Sequence, residues 1–299
     1  MEKALNEDFG WAADKNYFMD KMFFKLPPLA PCIVGISPEL MKRPADWPEN
    51  CNTVMTGWWV VSKAEQEERV KQGDKMYGGA DNQRLSAFLK GDPPVYLGWG
   101  SMSVVSRQHM TCLAVRALKK AGKRGVVLGG WAELEPETLA GLPDEAELRS
   151  YCKDNILFMK TAPHAWLFPL CSCVVHHGGS GTTAAGVMAG VPNIITPVWV
   201  DQEDYARAVA SKGIGLHLPP LTKVTADQIA AAITKCCADG EMQAKAKAMG
   251  AATSARDGVG AAVSTISEWY DSSVATGKWR ESFEKELQEN KPKPKARCC

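Results

Sequence analysis

From Val95 onward, short apolar runs alternate with stretches of helical periodicity, and that alternation restricts the fold more than any other feature of the chain. The run VYLGWGS leads to a helix over 107–121, then to a second apolar run, RGVVLGG. After the acidic, proline-containing stretch ELEPETLAGLPDEAELRS come NILFMK, the short segment HAWLFPLC and CVVHHG. Helix GTTAAGVMAG, strand NIITPV, helix DYARAVASKG and strand IGLHL follow. Strands of this kind, apolar throughout and separated by helices, predict βα units and a parallel sheet covered on both faces. The fold class is therefore α/β, a doubly wound parallel sheet. Three helical segments close it: TADQIAAAITKCCAD, EMQAKAKAMGAATSA and GAAVSTISEWYDSS.

The first part of the chain reads differently. It offers a helical stretch, KNYFMDKMFFKL, a proline-rich turn and one short strand, CIVGIS. One strand cannot make a sheet, so 1–94 reads as the remnant of another domain plus a linker. The expected division is 1–94, a main domain over 95–275, and a charged helix with a basic tail over 276–299. With 299 residues and 45% of them apolar, a chain of this length can bury a substantial core.

Lysine plus arginine, 35, balance aspartate plus glutamate, 34, so a uniformly basic surface for nucleic acid is not expected and any anion site has to be local. No apolar run is long enough to span a bilayer, and the N-terminus has no signal-peptide hydrophobic region. The ten cysteines form no CxxC pair, so they read as buried or incidental thiols in a reducing, cytoplasmic setting, with no metal expected.

The stretch CVVHHGGSGTTAAG carries the chemistry. A strand ending at His176–His177, a turn through Gly178–Gly179 and a helix opening at Ser180–Gly181–Thr182 aim unpaired N–H groups and the positive end of a helix dipole at one point. Glycine lets a phosphate approach the backbone, and a threonine hydroxyl adds a donor. The alternative is a glycine-rich βα turn with a structural histidine. Neither standard nucleotide signature is present: GWGSMS lacks the third glycine of GxGxxG, and no GxxxxGK[ST] occurs.

The longer stretch PHAWLFPLCSCVVHHGGSGTTAAGVMAGVPNIITPVWVDQEDYARAV resembles the donor-binding signature of nucleotide-sugar glycosyltransferases of the GT-B fold. Its form is most like that of sterol 3-beta-glucosyltransferases and related bacterial antibiotic glycosyltransferases. The likeness extends upstream to PPVYLGWGSM and, more loosely, to ISPELMKRPADWPENCNTVMTGWW. It implies the Rossmann-like C-terminal half of a GT-B fold, with UDP-glucose as donor substrate, no cofactor and no metal. It implies further that His177, Gly181 and Thr182 meet the diphosphate, with Gly179 and Ser180 lining the turn and Ser101 opposite. Ala162 and His164 would hold the uracil end, largely through backbone. Asp201 and Gln202 would read hydroxyls of the sugar; outside the resemblance, Asp201 is simply a natural N-cap. His109 and His217 read as structural.

Two positions depart from the plant small-molecule branch, which has a glutamate at the place of Ala185 and a tryptophan at that of Thr161. The sterol-type branch also lacks the glutamate.

In GT-B enzymes a second, N-terminal domain binds the acceptor and supplies the general base for inverting transfer. Only its last portion is expected here, so no base is assigned, and the isolated chain is expected to be inactive. A fragment of a longer transferase, one half of a split enzyme needing an acceptor-domain partner, and a non-catalytic nucleotide-sugar binder all fit. The implied acceptor is a sterol or similar lipid. The tail KPKPKARCC pairs a basic patch with two terminal cysteines, a pattern that lipidation and peripheral membrane contact would use. Without a CaaX box, the plainer reading is a solvated tail with unmodified thiols.

Overall fold

A computed structural model describes residues 30–45 and 52–289. The chain divides into two compact units, Val60–Arg256, and Met1–Trp59 together with Asp257–Cys299. The larger unit thus runs from Val60 to Arg256. The polar stretch before Val95 belongs with the large unit because it packs there: Gln66 accepts from the Ala165 N–H at 3.1 Å, and Thr161 donates to the Lys75 carbonyl at 2.7 Å.

In the smaller unit, β1 (Cys32–Val34) and β2 (Thr53–Met55) form a two-stranded parallel sheet. This corrects the expectation of a single strand. β2 is three residues long and only half-buried, too short for a period to show. The stretch KNYFMDKMFFKL and the basic tail lie outside the described residues.

The large unit begins with two short helices, α1 (Lys63–Lys71) and α2 (Asn82–Phe88). Then β3 (Val95–Gly98) leads through α3 (Arg107–Ala121) to β4 (Gly125–Leu128). Helix α4 (Glu145–Asn155), which the acidic composition of its stretch concealed, precedes β5 (Ile156–Met159). β6 (Cys173–His176), α5 (Ser180–Met188), β7 (Asn193–Ile195), α6 (Asp201–Ser211) and β8 (Gly215–His217) follow, closed by α7 (Ala226–Ala238) and α8 (Gly240–Ser254). Two further helices, α9 (Gly258–Trp269) and α10 (Lys278–Glu289), belong to the smaller unit.

All six strands of the main sheet are parallel, in the order β5-β4-β3-β6-β7-β8. Alternate residues serve opposite faces. Val95, Leu97, Val127 and Val175 face a layer that includes Leu113 and Leu118 of α3 and Ile229 and Ile233 of α7. Tyr96, Val126 and Val174 face the other layer with Leu85, Leu167 and Phe168. Each such aliphatic side chain, removed from water, contributes about 1.5–3 kcal/mol. The strand order reverses between β3 and β6, and in an open α/β sheet that switch point leaves a crevice at the carboxyl ends of the strands.

Candidate functional site

The loops after β3 and β6 flank this switch point, and His177 is packed between them. A Cβ placed on Gly100, which sits at φ +60, would stand 3.0 Å from His177 Cε1, and one on Gly179 would collide with His177 Nε2. The ring is nearly buried, and its Nδ1 has no hydrogen-bond partner among the described residues. Burial lowers its pKa, with the carboxylate of Asp201 pulling the other way. Near neutral pH the imidazole is therefore a hydrogen-bonding group rather than a fixed cation.

Beyond it the chain turns through Gly178, at φ +90, where a side chain would meet Ile195 and the Gln202 backbone. Helix α5 then starts with Gly179 as its N-cap, and no side chain caps it. Gly181 is exposed, and a Cβ there would meet nothing within 4 Å; Thr182 is half-buried. An uncapped helix N-terminus facing open space, at the carboxyl ends of parallel strands, offers several main-chain donors to an anion. Ser180 differs from its neighbours in being engaged already, its Oγ accepting from the Tyr205 hydroxyl at 3.0 Å.

His176 holds the turn from below. It is fully buried, and its Nδ1 accepts from the Gly178 N–H at 3.1 Å. The proton therefore resides on Nε2, which donates to Asn193 Oδ1 at 3.0 Å. Asn193 in turn donates to the Val191 carbonyl at 2.8 Å. Burial pushes the His176 pKa down to about 3, against the hydrogen bond to Asn193. A second buried tie joins the loop after β3 to the loop after β7: the Trp99 indole donates to Thr196 Oγ1 at 2.9 Å.

The other expected residues lie on the segments that follow the strands' carboxyl ends, with different commitments: Ser101 and Ala162 in loops, and His164, Asp201 and Gln202 in the first turns of helices. Ser101 is exposed, in the turn closed by the Met102 N–H on the Trp99 carbonyl. Ala162 is buried beyond β5. His164 stacks on Phe168, ring centroids 4.5 Å apart, and hydrogen-bonds to the Tyr96 hydroxyl at 3.2 Å; burial lowers its pKa to about 4. Its imidazole is thus occupied within the protein.

Asp201 is exposed and is the first residue of α6, not its N-cap. That position belongs to Val200, which takes φ +46, a backbone conformation costly for a β-branched residue. Gln202 is only 5% exposed, and its amide is spent on its own surroundings. Oε1 accepts from the N–H groups of Val198, at 2.8 Å, and Trp199, at 3.3 Å, while Nε2 lies 3.7 Å from Met102 Sδ. Gln202 thereby fastens the loop after β7 to the loop after β3. The sequence reading did not single out Tyr96, Trp99, Met102, Asn193 or Thr196. A buried asparagine opening the apolar strand NIITP is the one local signal that was there to be used.

Residues 125–265 match the family described as erythromycin biosynthesis protein CIII-like, C-terminal domain. An O-mycaminosyltylonolide 6-deoxyallosyltransferase from Streptomyces fradiae is 32% identical over 280 residues, 89% of this chain and 59% of that protein. A sterol 3-beta-glucosyltransferase from Yarrowia lipolytica is 32% identical over 241 residues, 79% of this chain and 15% of that protein. The chain therefore spans less than two thirds of the length of each of these two relatives. Among solved structures, the glycotransferase of kitacinnamycin superposes over 89% of this chain and 60% of its own length, with TM-score 0.60 and 21% identity. Os79 from O. sativa, solved in complex with UDP, does so over 63% of this chain and 43% of its own, with TM-score 0.51 and 20% identity. These two likenesses concern the fold.

Proposed function

Through residues 125–265 this chain belongs to the GT-B glycosyltransferases, as their C-terminal domain, and on that premise we propose that it forms the donor-binding half of a UDP-dependent hexosyltransferase. The sugar in this reading is glucose, and the acceptor is the hydroxyl of a sterol or similar hydrophobic molecule. Sterol 3-beta-glucosyltransferases among the relatives support that choice. The UDP bound in one fold neighbour supports the nucleotide.

The observation that carries the reading is the open, uncapped N-terminus of α5 at the switch point. Main-chain N–H groups of Gly181 and Thr182, with the Thr182 hydroxyl, meet the diphosphate. The His177 imidazole adds a neutral hydrogen bond. As the sugar–phosphate bond breaks, negative charge grows on the diphosphate, and donors already aimed there stabilise it without reorganising. Asp201, exposed at the edge of the crevice, accepts from sugar hydroxyls. The acceptor is deprotonated by a base from an acceptor domain, giving inversion.

Titration calorimetry with UDP-glucose tests this. Wild type binds, and His177→Ala and Thr182→Ala each bind about 3- to 10-fold more weakly, the worth of one net hydrogen bond. Undiminished affinity in both variants removes the diphosphate from this site.

A further inference from the structure

We propose that Trp131 stacks on the base of the donor nucleotide, closing over a cavity between the carboxyl ends of β4 and β5. The inference rests on the donor reading above and goes beyond it in placing the base and naming the side chain that covers it.

The cavity holds about 330 Å³ and is lined by Gly129 and Gly130 after β4, by Glu133 and Leu134, and by Phe158 and Met159 of β5, among others. In the sheet order β5-β4-β3-β6-β7-β8 it lies to one side of the α5 N-terminus, which follows β6. Asp201, which follows β7, lies to the other side. A diphosphate held at α5 with its sugar toward Asp201 therefore sends its nucleoside toward the cavity. From β6 to the gap between β4 and β5 is two to three strand spacings, about 10–14 Å. An extended nucleoside diphosphate covers that span.

Trp131 lies in sequence between the lining residues Gly130 and Glu133. It is 84% exposed, more than any other large apolar side chain among the described residues. Its loop is nevertheless fixed. The Gly129 N–H donates to the Met159 carbonyl at 2.8 Å, and a Cβ on Gly130 would stand 2.8 Å from the Gly100 carbonyl oxygen. Arg107, at the start of α3, donates to the Glu133 carbonyl at 3.3 Å and pairs with the Glu133 and Glu135 carboxylates at 3.2 and 3.0 Å. Ala132 and Leu134 are buried beneath.

The turn is also strained. Gly130 and Glu133 both take left-handed backbone, φ +52 and +50, and the second is costly for a residue with a Cβ. A strained turn, pinned to β5, to α3 and to the loop after β3, thus holds a flat apolar ring in water beside an open cavity. That arrangement suits a flat ligand. The segment after β5 offers no equivalent at Thr161 or His164. Thr161 spends its hydroxyl on the Lys75 carbonyl, and the His164 imidazole is taken up by Phe168 and Tyr96.

Titration calorimetry of the full chain with UDP and with inorganic pyrophosphate tests the assignment. Trp131→Ala binds UDP about tenfold more weakly than wild type, the worth of one base–aromatic stack, and Trp131→Phe, which keeps a ring, stays within about threefold. Pyrophosphate has no base, so Trp131→Ala binds it as wild type does, whereas His177→Ala weakens both probes. UDP quenches tryptophan emission in wild type, and most of that quenching is lost in Trp131→Phe. All three variants are compared at matched melting temperature, which a change at so exposed a ring leaves unaltered. The inference is overturned if His177→Ala weakens UDP while Trp131→Ala does not, if Trp131→Ala loses pyrophosphate as much as UDP, or if the quenching survives in Trp131→Phe. A wild type that binds no UDP overturns the donor reading itself, and this inference with it.

Discussion

A Cβ on Gly100 would stand 3.0 Å from Cε1 of His177, so the loop leaving β3 forms one wall of the histidine's slot. The other wall is Gly179, whose φ of −60 suits any residue. Gly179→Ala therefore adds no backbone strain and acts only by displacing the imidazole. UDP-glucose affinity is expected to fall about 3- to 10-fold, as for His177→Ala, with little change in melting temperature. Gly100→Ala also incurs about 1–2 kcal/mol for its left-handed conformation, and both affinity and stability fall. Calorimetry beside thermal denaturation separates the two; equal behaviour of the variants contradicts the slot.

Gln202 poses a choice between reading a sugar and fastening two loops. Glutamate preserves the acceptor that takes the Val198 and Trp199 N–H groups, whereas alanine does not. If the side chain fastens the loops, Gln202→Glu retains most UDP-glucose affinity and stability, while Gln202→Ala loses about 1–3 kcal/mol of stability by orphaning buried donors. A glutamate variant that is stable yet binds the donor no better than alanine assigns the residue to the sugar instead.

Stability is expected to fall on acidification from neutral pH. His164 and His176 have folded pKa values near 4 and 3, below their usual 6.5. Below pH 6.5 the unfolded chain takes up protons that the native state refuses, so stability present above that value is lost as pH falls toward 4 and 3. At pH 5 the loss is on the order of 2 kcal/mol for each histidine. Denaturant unfolding of wild type and His176→Gln at pH 7 and pH 5 checks the sign: the variant has a shallower pH dependence.

Much of this fold is legible in residue order. Val95, Leu97 and Val127 lie on one face and Tyr96, Val126 and Val174 on the other, and a strand buried on both faces must be apolar throughout. The turn after β6 is legible for a related reason, since the paired glycines Gly178 and Gly179 between an apolar strand and a helical run mark a tight βα turn. α1 is not, because its sequence KAEQEERVK buries no residue and leaves no stripe to see. The commitment of Gln202 is hidden as well: its partner Met102 is a hundred residues away in sequence, on a loop that only the folded sheet brings near.

Gly250, on α8, faces the end of α5. A Cβ there would come within 2.7 Å of Gly190 Cα and 3.0 Å of the Val187 carbonyl, both main-chain atoms with no side chain to swing aside. Gly250→Ala is expected to destabilise the fold by about 1–3 kcal/mol despite alanine's better helix propensity. A rise in melting temperature would show that the two helices are free to separate.

The N-terminus of α5 grips through the peptide chain itself. Replacing Ser180 or Thr182 leaves their N–H groups where they were, and no side-chain substitution short of proline deletes such a donor. Randomising those side chains in a laboratory library would therefore weaken the hold on phosphate only by the share that the Thr182 hydroxyl adds, and would not abolish it.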